Sequence, residues 1–312
     1  MLYAGTTLFK ICFKYSYIDN TVKKLKRKSK SAGNILNYGT SETLRNGIVV
    51  EPEHVKCISD HIPQHSKPIN DQQLGHYLAG LIDGDGHFSK ARQLVIIFSE
   101  PDAFLAYNLK TQLGFGSVKK VKGKKAYLLI ISNKKGLLRV LNLINNKIRT
   151  QHKYDQISNN ILNSDVLLDK DFTLNTNNDL NNHWLAGFSD ADASFQIKIV
   201  YKNLRHKPEI RLNYQIDQKH RDILSLIKDK LGGNIGYRSS QDTYYYGSTS
   251  FGSAKNVIGY FDKFNLQSKK HISYLRWRKT YRIIQNKEHL TEQGVNKIKK
   301  IKALINKHET TI

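Results

Sequence analysis

One fifteen-residue pattern occurs twice in this chain, and that repeat limits what it can fold into more than any other feature. GHYLAGLIDGDGHFS (75–89) and NHWLAGFSDADASFQ (182–196) align without a gap, matching Leu78, Ala79, Gly80, Asp83, Asp85 and Phe88 to Leu185, Ala186, Gly187, Asp190, Asp192 and Phe195. Such self-similarity implies two copies of one supersecondary unit that bury their apolar faces together.

The segments after each copy keep the same order. FSKARQLVIIFS predicts a β-pair, PDAFLAYNLKTQLG a helix opened by Pro101 and Asp102, GSVKKVKGKKAYLLIIS a hairpin, and KKGLLRVLNLINNKI a helix. The second half repeats the series, so each half reads αββαββα, an α+β fold with antiparallel sheets. Residues 71–162 form the first repeat and 182–312 the second, with C-terminal helices from SKKHISYLRWRKTYRII onward. The Asn-rich stretch 163–181 is the linker between them. Residues 1–70 carry six basic residues between positions 21 and 30, then Gly, Ser, Asn and Pro punctuation, and read as a basic, mostly irregular extension.

Each motif copy looks like an apolar helix that ends in carboxylates, where the peptide dipoles already concentrate negative charge. Gly80 and Gly84 lie four apart on one face, as do Gly187 and Ala191, and small residues at that spacing allow close approach of two helices. Face-to-face packing about a pseudo-two-fold axis would bring Asp85 and Asp192 together. Two carboxylates about 4 Å apart repel by roughly 4 kcal/mol at an effective dielectric of 20, so something positive must compensate. A single acid beyond a helix often only caps a turn. Two at matched positions instead suggest a site for a hard divalent cation, above all Mg²⁺, which takes one or two carboxylates together with waters and phosphates. DGDG opens like a Ca²⁺ loop, but Phe88 and Leu94 stand where that loop needs Gly and Glu.

The partner follows from charge. Lys+Arg 50 against Asp+Glu 26 gives a net +24 and a pI near 9.8, which implies a polyanion. No stretch approaches about 18 consecutive apolar residues, so a membrane is not expected. Cys12 and Cys57 lack disulfide or zinc spacing. The chain is rich in Lys, Ile, Asn and Tyr, whose codons begin with two A/T bases, as an organellar genome would favour. A carboxylate metal site in a strongly basic chain suggests metal-assisted hydrolysis of phosphodiester bonds.

The paired motifs resemble those of the LAGLIDADG homing endonucleases, in the monomeric form with two copies in one chain, over roughly residues 71–286. The resemblance implies a saddle of antiparallel sheets with both motif helices at its centre. It also implies Mg²⁺-dependent double-strand cleavage of a long, pseudo-palindromic DNA site, short 3′ overhangs, and a role in intron mobility in the mitochondrion; Ca²⁺ could occupy the site without supporting cleavage. The final acids, Asp85 and Asp192, would bind metal with help from the carbonyls of Gly84 and Ala191, while Asp83 and Asp190 would serve the helix ends. Lys153, Lys270 and Gln218 would complete the catalytic surroundings, with Ser99 as the first-half counterpart of Gln218. Ala193 and Ser189 depart from the family pattern and put the geometry of the second site in question. The same family fold also serves as an RNA maturase, so host intron RNA is the alternative partner. SAGNILNYGTSETLRNG is similar to leaders of members encoded in cytochrome oxidase subunit 1 introns.

DNA contacts are expected on the hairpins. Phe195, Ile197 and Ile199 alternate with Gln196 and Lys198; Ile210, Leu212, Tyr214 and Ile216 alternate with Arg211, Asn213 and Gln215. The polar side chains of such a ribbon can read base edges in the major groove. In the first half QLVIIFS is apolar on both faces, which leaves Ser89, Arg92, Lys120, Lys122 and Lys124 as candidates, the lysines for phosphates. In YRSSQDTYYYGSTS, Arg238, Tyr244 and Tyr246 are the candidates, although a Tyr run in a strand more often packs.

Overall fold

The computed structural model describes residues 57–163, 171–201 and 207–309. The residues before 57, including the basic cluster at 21–30 and Cys12, lie outside that range, as does linker segment 164–170.

The first half runs α1 (Asp71–Asp85), β1 (Gly86–Ser89), β2 (Gln93–Ser99), α2 (Ala103–Leu113), β3 (Ser117–Lys120), β4 (Ala126–Ile131) and α3 (Lys134–Ile144). A short α4 (Gln151–Ile157) continues as a π turn to Leu162. The second half runs α5 (Trp184–Asp192), β5 (Ala193–Val200), β6 (Glu209–Gln218), α6 (Asp222–Leu231), β7 (Asn234–Arg238), β8 (Thr243–Gly247) and α7 (Phe251–Lys263), followed by α8 (Lys270–Gln285) and α9 (Glu292–Glu309). The two antiparallel sheets have corresponding strand orders, β1-β2-β4-β3 and β5-β6-β8-β7. Together with the helices they form an α+β saddle. No described helix is long and apolar enough to cross a membrane.

Local sequence explains the starts and stops. The Asn70 side chain caps α1 by accepting from Gln73 N–H, and Asn133 and Ser250 do the same for α3 and α7. Gly114, with φ of 75°, closes α2 in the left-handed region that costs glycine nothing.

The centre of the molecule is the crossing of α1 and α5. A Cβ at Gly80 would collide with the Trp184 carbonyl and lie 2.8 Å from the Phe188 nitrogen; one at Gly187 would collide with the Tyr77 carbonyl. Only glycine permits this approach from both sides. Two buried acids then lock the crossing. Asp83 accepts from the Trp184 indole N–H (2.8 Å), and Asp190 accepts from the Tyr77 hydroxyl (2.7 Å). Trp184 and Tyr77 occupy the same position of the repeat.

Alternate strand residues face the helices. Phe88, Leu94, Ile96 and Leu129 are buried in the first half, as are Phe195, Leu212, Tyr214, Ile216 and Tyr246 in the second. Residues 57–70 contain no helix or strand, yet they are pinned to the second half. Ile58 N–H donates to Gln285 Oε1, Ser66 N–H donates to Asn265 Oδ1, and Arg278 donates to the His61 carbonyl.

Candidate active site

Helices α1 and α5 end side by side. A Cβ at Gly84 would overlap that of Ala191 and lie 3.1 Å from Asp192 Oδ2, so the end of one motif helix lies against the carboxylate of the other. Asp85 and Asp192 are the last residues of their helices, where unsatisfied carbonyls add negative potential. Asp85 is reached by solvent but ringed by protein. Desolvation first, then the charge of Asp192, raises its pKa to about 6, against the opposing pull of Lys270 and Lys153. Burial also raises Asp192, while Lys270, a hydrogen bond from Gln218 and Lys153 pull it down.

The supporting shell is built by the buried acids two residues back, Asp83 and Asp190. Asp83 accepts from the N–H groups of Arg149 and Thr150 and from the Thr150 hydroxyl (2.6 Å), fixing the chain that opens α4. Asp190 accepts from Gln267 N–H and the Ser268 hydroxyl, fixing the entry to α8. Those two helices carry Lys153 and Lys270. Lys153 Nζ donates to the Gly86 carbonyl (2.6 Å); Lys270 Nζ donates to the carbonyls of Ala191 (2.6 Å) and Ser189 (3.2 Å). Burial lowers the pKa of both ammonium groups, and the neighbouring aspartates oppose it.

The halves differ at one polar position. Gln218 Nε2 donates to Asp192 Oδ2 at 2.6 Å. Strand register, with Gly86 opposite Ile96 and Ala193 opposite Ile216, makes Phe98 the structural counterpart of Gln218. The expected counterpart, Ser99, lies one residue along, on the opposite face of its strand, and its hydroxyl donates to Asp102 (2.8 Å). The Ala193 departure is conformationally harmless: its φ of −92° and ψ of 156° match the extended backbone of Gly86. Gly86 needs its missing side chain because a Cβ there would press on Ile82. Ser189 is buried but satisfied by the Leu185 carbonyl and the Tyr214 hydroxyl.

A divalent cation fits these residues. Two hard oxygen donors, the carboxylates of Asp85 and Asp192, meet at the helix ends, where burial and their mutual repulsion both work against the ionised Asp85. Among the described residues no cluster of three or more His, Cys, Asp or Glu exists, so such a cation would need waters and phosphate oxygens to fill its sphere. The Ala191 carbonyl already accepts from Lys270, which leaves one lone pair for the ligand role expected of it.

Comparison with known proteins decides the family. A family model described as LAGLIDADG endonuclease matches residues 185–281. An uncharacterized cox1 intron-2 protein of Schizosaccharomyces pombe is 61% identical over 96% of this chain and 95% of its own length. The chain belongs to the LAGLIDADG endonuclease family. The intron-encoded DNA endonuclease aI3 of Saccharomyces cerevisiae is 30% identical over 72% of this chain and 66% of its own length. The fold is similar to that of I-SmaMI bound to uncleaved DNA with calcium, at 24% identity and a TM-score of 0.60, covering 74% of this chain and 98% of that one.

Each sheet begins immediately after its LAGLIDADG helix, β1 at Gly86 and β5 at Ala193, and each turns one face to the buried core and the other outward. On the second sheet Gln196, Lys198, Arg211, Asn213 and Gln215 share this outer face by alternation. Lys198 is exposed. Arg211 pairs with Glu209, Gln215 donates to Asp217, and Arg238 pairs with Asp217 while covering the Tyr245 ring at 4.8 Å. Two candidates are corrected. Tyr246 is 0% exposed and donates to the Gly232 carbonyl, because its pairing with Ile216 turns it to the core. Asn213 is 5% exposed, held beneath Gln196 and Gln215, to both of which it donates. The outward tyrosine is Tyr245, which only strand register could identify. In the first half Arg92, Lys122 and Lys124 are exposed at hairpin turns, Ser89 is half-buried, and Lys120 is exposed but pairs with Glu100 at 2.7 Å.

Proposed function

We propose that this chain is a site-specific double-strand DNA endonuclease of the intron-homing kind. It acts as a monomer on a long, pseudo-palindromic target, uses Mg²⁺, and leaves short 3′ overhangs in the mitochondrion. The observation that carries this reading is the acid pair: Asp85 and Asp192 are brought to one point by a glycine-only helix crossing, each immediately before the first strand of its sheet, in a chain of net charge +24.

Asp85 and Asp192 would hold divalent cations there, which supply Lewis-acid stabilisation and lower the pKa of bound water. The protein's own part is positioning. Lys153 and Lys270, tethered to backbone carbonyls beside the acids, place positive charge where phosphoryl oxygens gain negative charge. Gln218 fixes the rotamer of the Asp192 carboxylate. The sheet faces grip DNA, and exposed lysines at the turns contact phosphate.

The test is cleavage, with Mg²⁺, of duplex DNA spanning the uninterrupted host-gene junction. One double-strand cut is expected from the wild type, and binding without cutting from Asp85→Asn. Full cleavage by that variant would remove the assignment. The intron origin named for the relatives favours a second activity, aid to splicing of the host intron. That activity would survive Asp85→Asn in a splicing assay.

A further inference from the structure

The outer faces of the two sheets are chemically unlike. Alternation and register put Val95 and Ile97 of β2 beside Ile130 and Leu128 of β4 on the outer face of the first sheet. Ile97 is 55% exposed, and the other three are partly exposed. The structurally equivalent positions in the second sheet hold Gln215, Asp217, Gly247 and Tyr245. Four aliphatic side chains thus form a compact stripe where the other half carries hydrogen-bonding groups.

Scattered exposed apolar residues need no explanation, but a contiguous cross-strand set of them does. Here the surroundings specify the occupant. Lys119 lies opposite Leu128 on the neighbouring strand, and Arg92, Lys122 and Lys124 are exposed at the hairpin turns. The stripe also continues, through His87 opposite Val95, toward the helix end that carries Asp85. A cation-rimmed apolar strip continuous with the acid pair suits a polyanion that presents apolar groups to a β-ribbon. In the DNA major groove the only such group is the thymine C5-methyl.

We infer that the half-site facing the first sheet is read through thymine methyl groups by Val95, Ile97, Leu128 and Ile130, whereas the half-site facing the second sheet is read by hydrogen bonds. The inference rests on the endonuclease reading and deepens it, because it gives the target a chemical asymmetry. It also separates DNA from RNA at this face, since uracil lacks the methyl.

The experiment uses the full chain and a duplex that the wild type enriches from a randomised pool in Ca²⁺. Thymines are then replaced by deoxyuridine in one half of the duplex or in the other. Binding is expected to weaken about fourfold per contacted methyl in one half only, from the transfer free energy of a buried carbon. Ile97→Asn, a change at an exposed position, should reduce that sensitivity while the protein keeps its melting temperature. Equal binding of all the duplexes, or an undiminished methyl effect in Ile97→Asn, overturns the inference and leaves the endonuclease reading intact. A self-association that Ile97→Asn abolishes would also overturn it, by assigning the stripe to protein contact. Failure to enrich any duplex would overturn both.

Discussion

Gln218 donates a 2.6 Å hydrogen bond to Asp192, whereas the equivalent position beside Asp85 is Phe98. The two acids therefore have different local support. Asp192 has a side-chain amide that favours its charged form and one orientation; among the described residues Asp85 has the lysines and no such amide.

Unequal support predicts unequal loss. Gln218→Leu, which removes the amide while keeping an apolar side chain of comparable volume, should slow the strand served by Asp192 by about one to two orders of magnitude, less than removal of a direct transition-state donor. On supercoiled plasmid carrying the target, nicked circles should accumulate before linear product. Phe98→Leu should leave the ratio of nicked to linear DNA as in the wild type. Equal slowing of both strands by Gln218→Leu would show that the amide acts on the fold rather than on Asp192.

Asp85 carries a second consequence, in stability. Its pKa in the folded protein, about 6, lies above the ordinary 3.8, so the folded state disfavours the carboxylate. The resulting destabilisation is full above pH 6 and disappears as pH falls below about 4, because the unfolded chain is then protonated as well. Without metal at pH 7, Asp85→Asn should melt a few degrees higher than the wild type, and that advantage should shrink steadily between pH 6 and pH 4. Added Mg²⁺ should raise the wild-type melting temperature and leave the variant's nearly unchanged.

Much of this site is legible in the sequence, because the motif copies align without gaps and glycine spacing states which helix faces meet. Asp83 and Asp190 likewise sit where a helix-end role places them. The illegible part depends on pairing between strands. The β1–β2 turn spans only residues 90–92, whereas β5 and β6 are separated by residues 201–208, so a match of Gln218 to Ser99 slips one residue and changes faces. The orientation of Tyr246 has the same origin: a run of three tyrosines offers no internal phase, and only its register against Ile216 buries the third. Helix α4 is hidden in the sequence because it is short and polar and passes into a π turn.

The Asp83 and Asp190 clamps predict a cost for losing a buried donor. Trp184→Phe leaves a buried carboxylate one hydrogen bond short and should destabilise the protein by about 1–3 kcal/mol beyond the packing lost. Tyr77→Phe removes only the hydroxyl that Asp190 accepts from, so it isolates the polar part of the same effect. Chemical denaturation of the two variants should show reduced midpoints with unchanged slopes.

The helix crossing gives the sharpest structural test. Gly80→Ala places a methyl group against the Trp184 carbonyl, and neither backbone can retreat without separating Gly84 from Ala191 and so Asp85 from Asp192. Overpacking of this kind costs typically about 1–3 kcal/mol and more where backbone is struck. Gly252→Ala is the matched control: that position lies in the first turn of α7, where the added carbon meets no described neighbour beyond its own turn of helix, and the change should stabilise by up to about 1 kcal/mol from helix propensity. Thermal melts read the opposite signs directly. Gly80→Ala protein that remains folded should also lose cleavage more than binding, because spreading the helix ends moves the two acids while leaving both sheet faces intact.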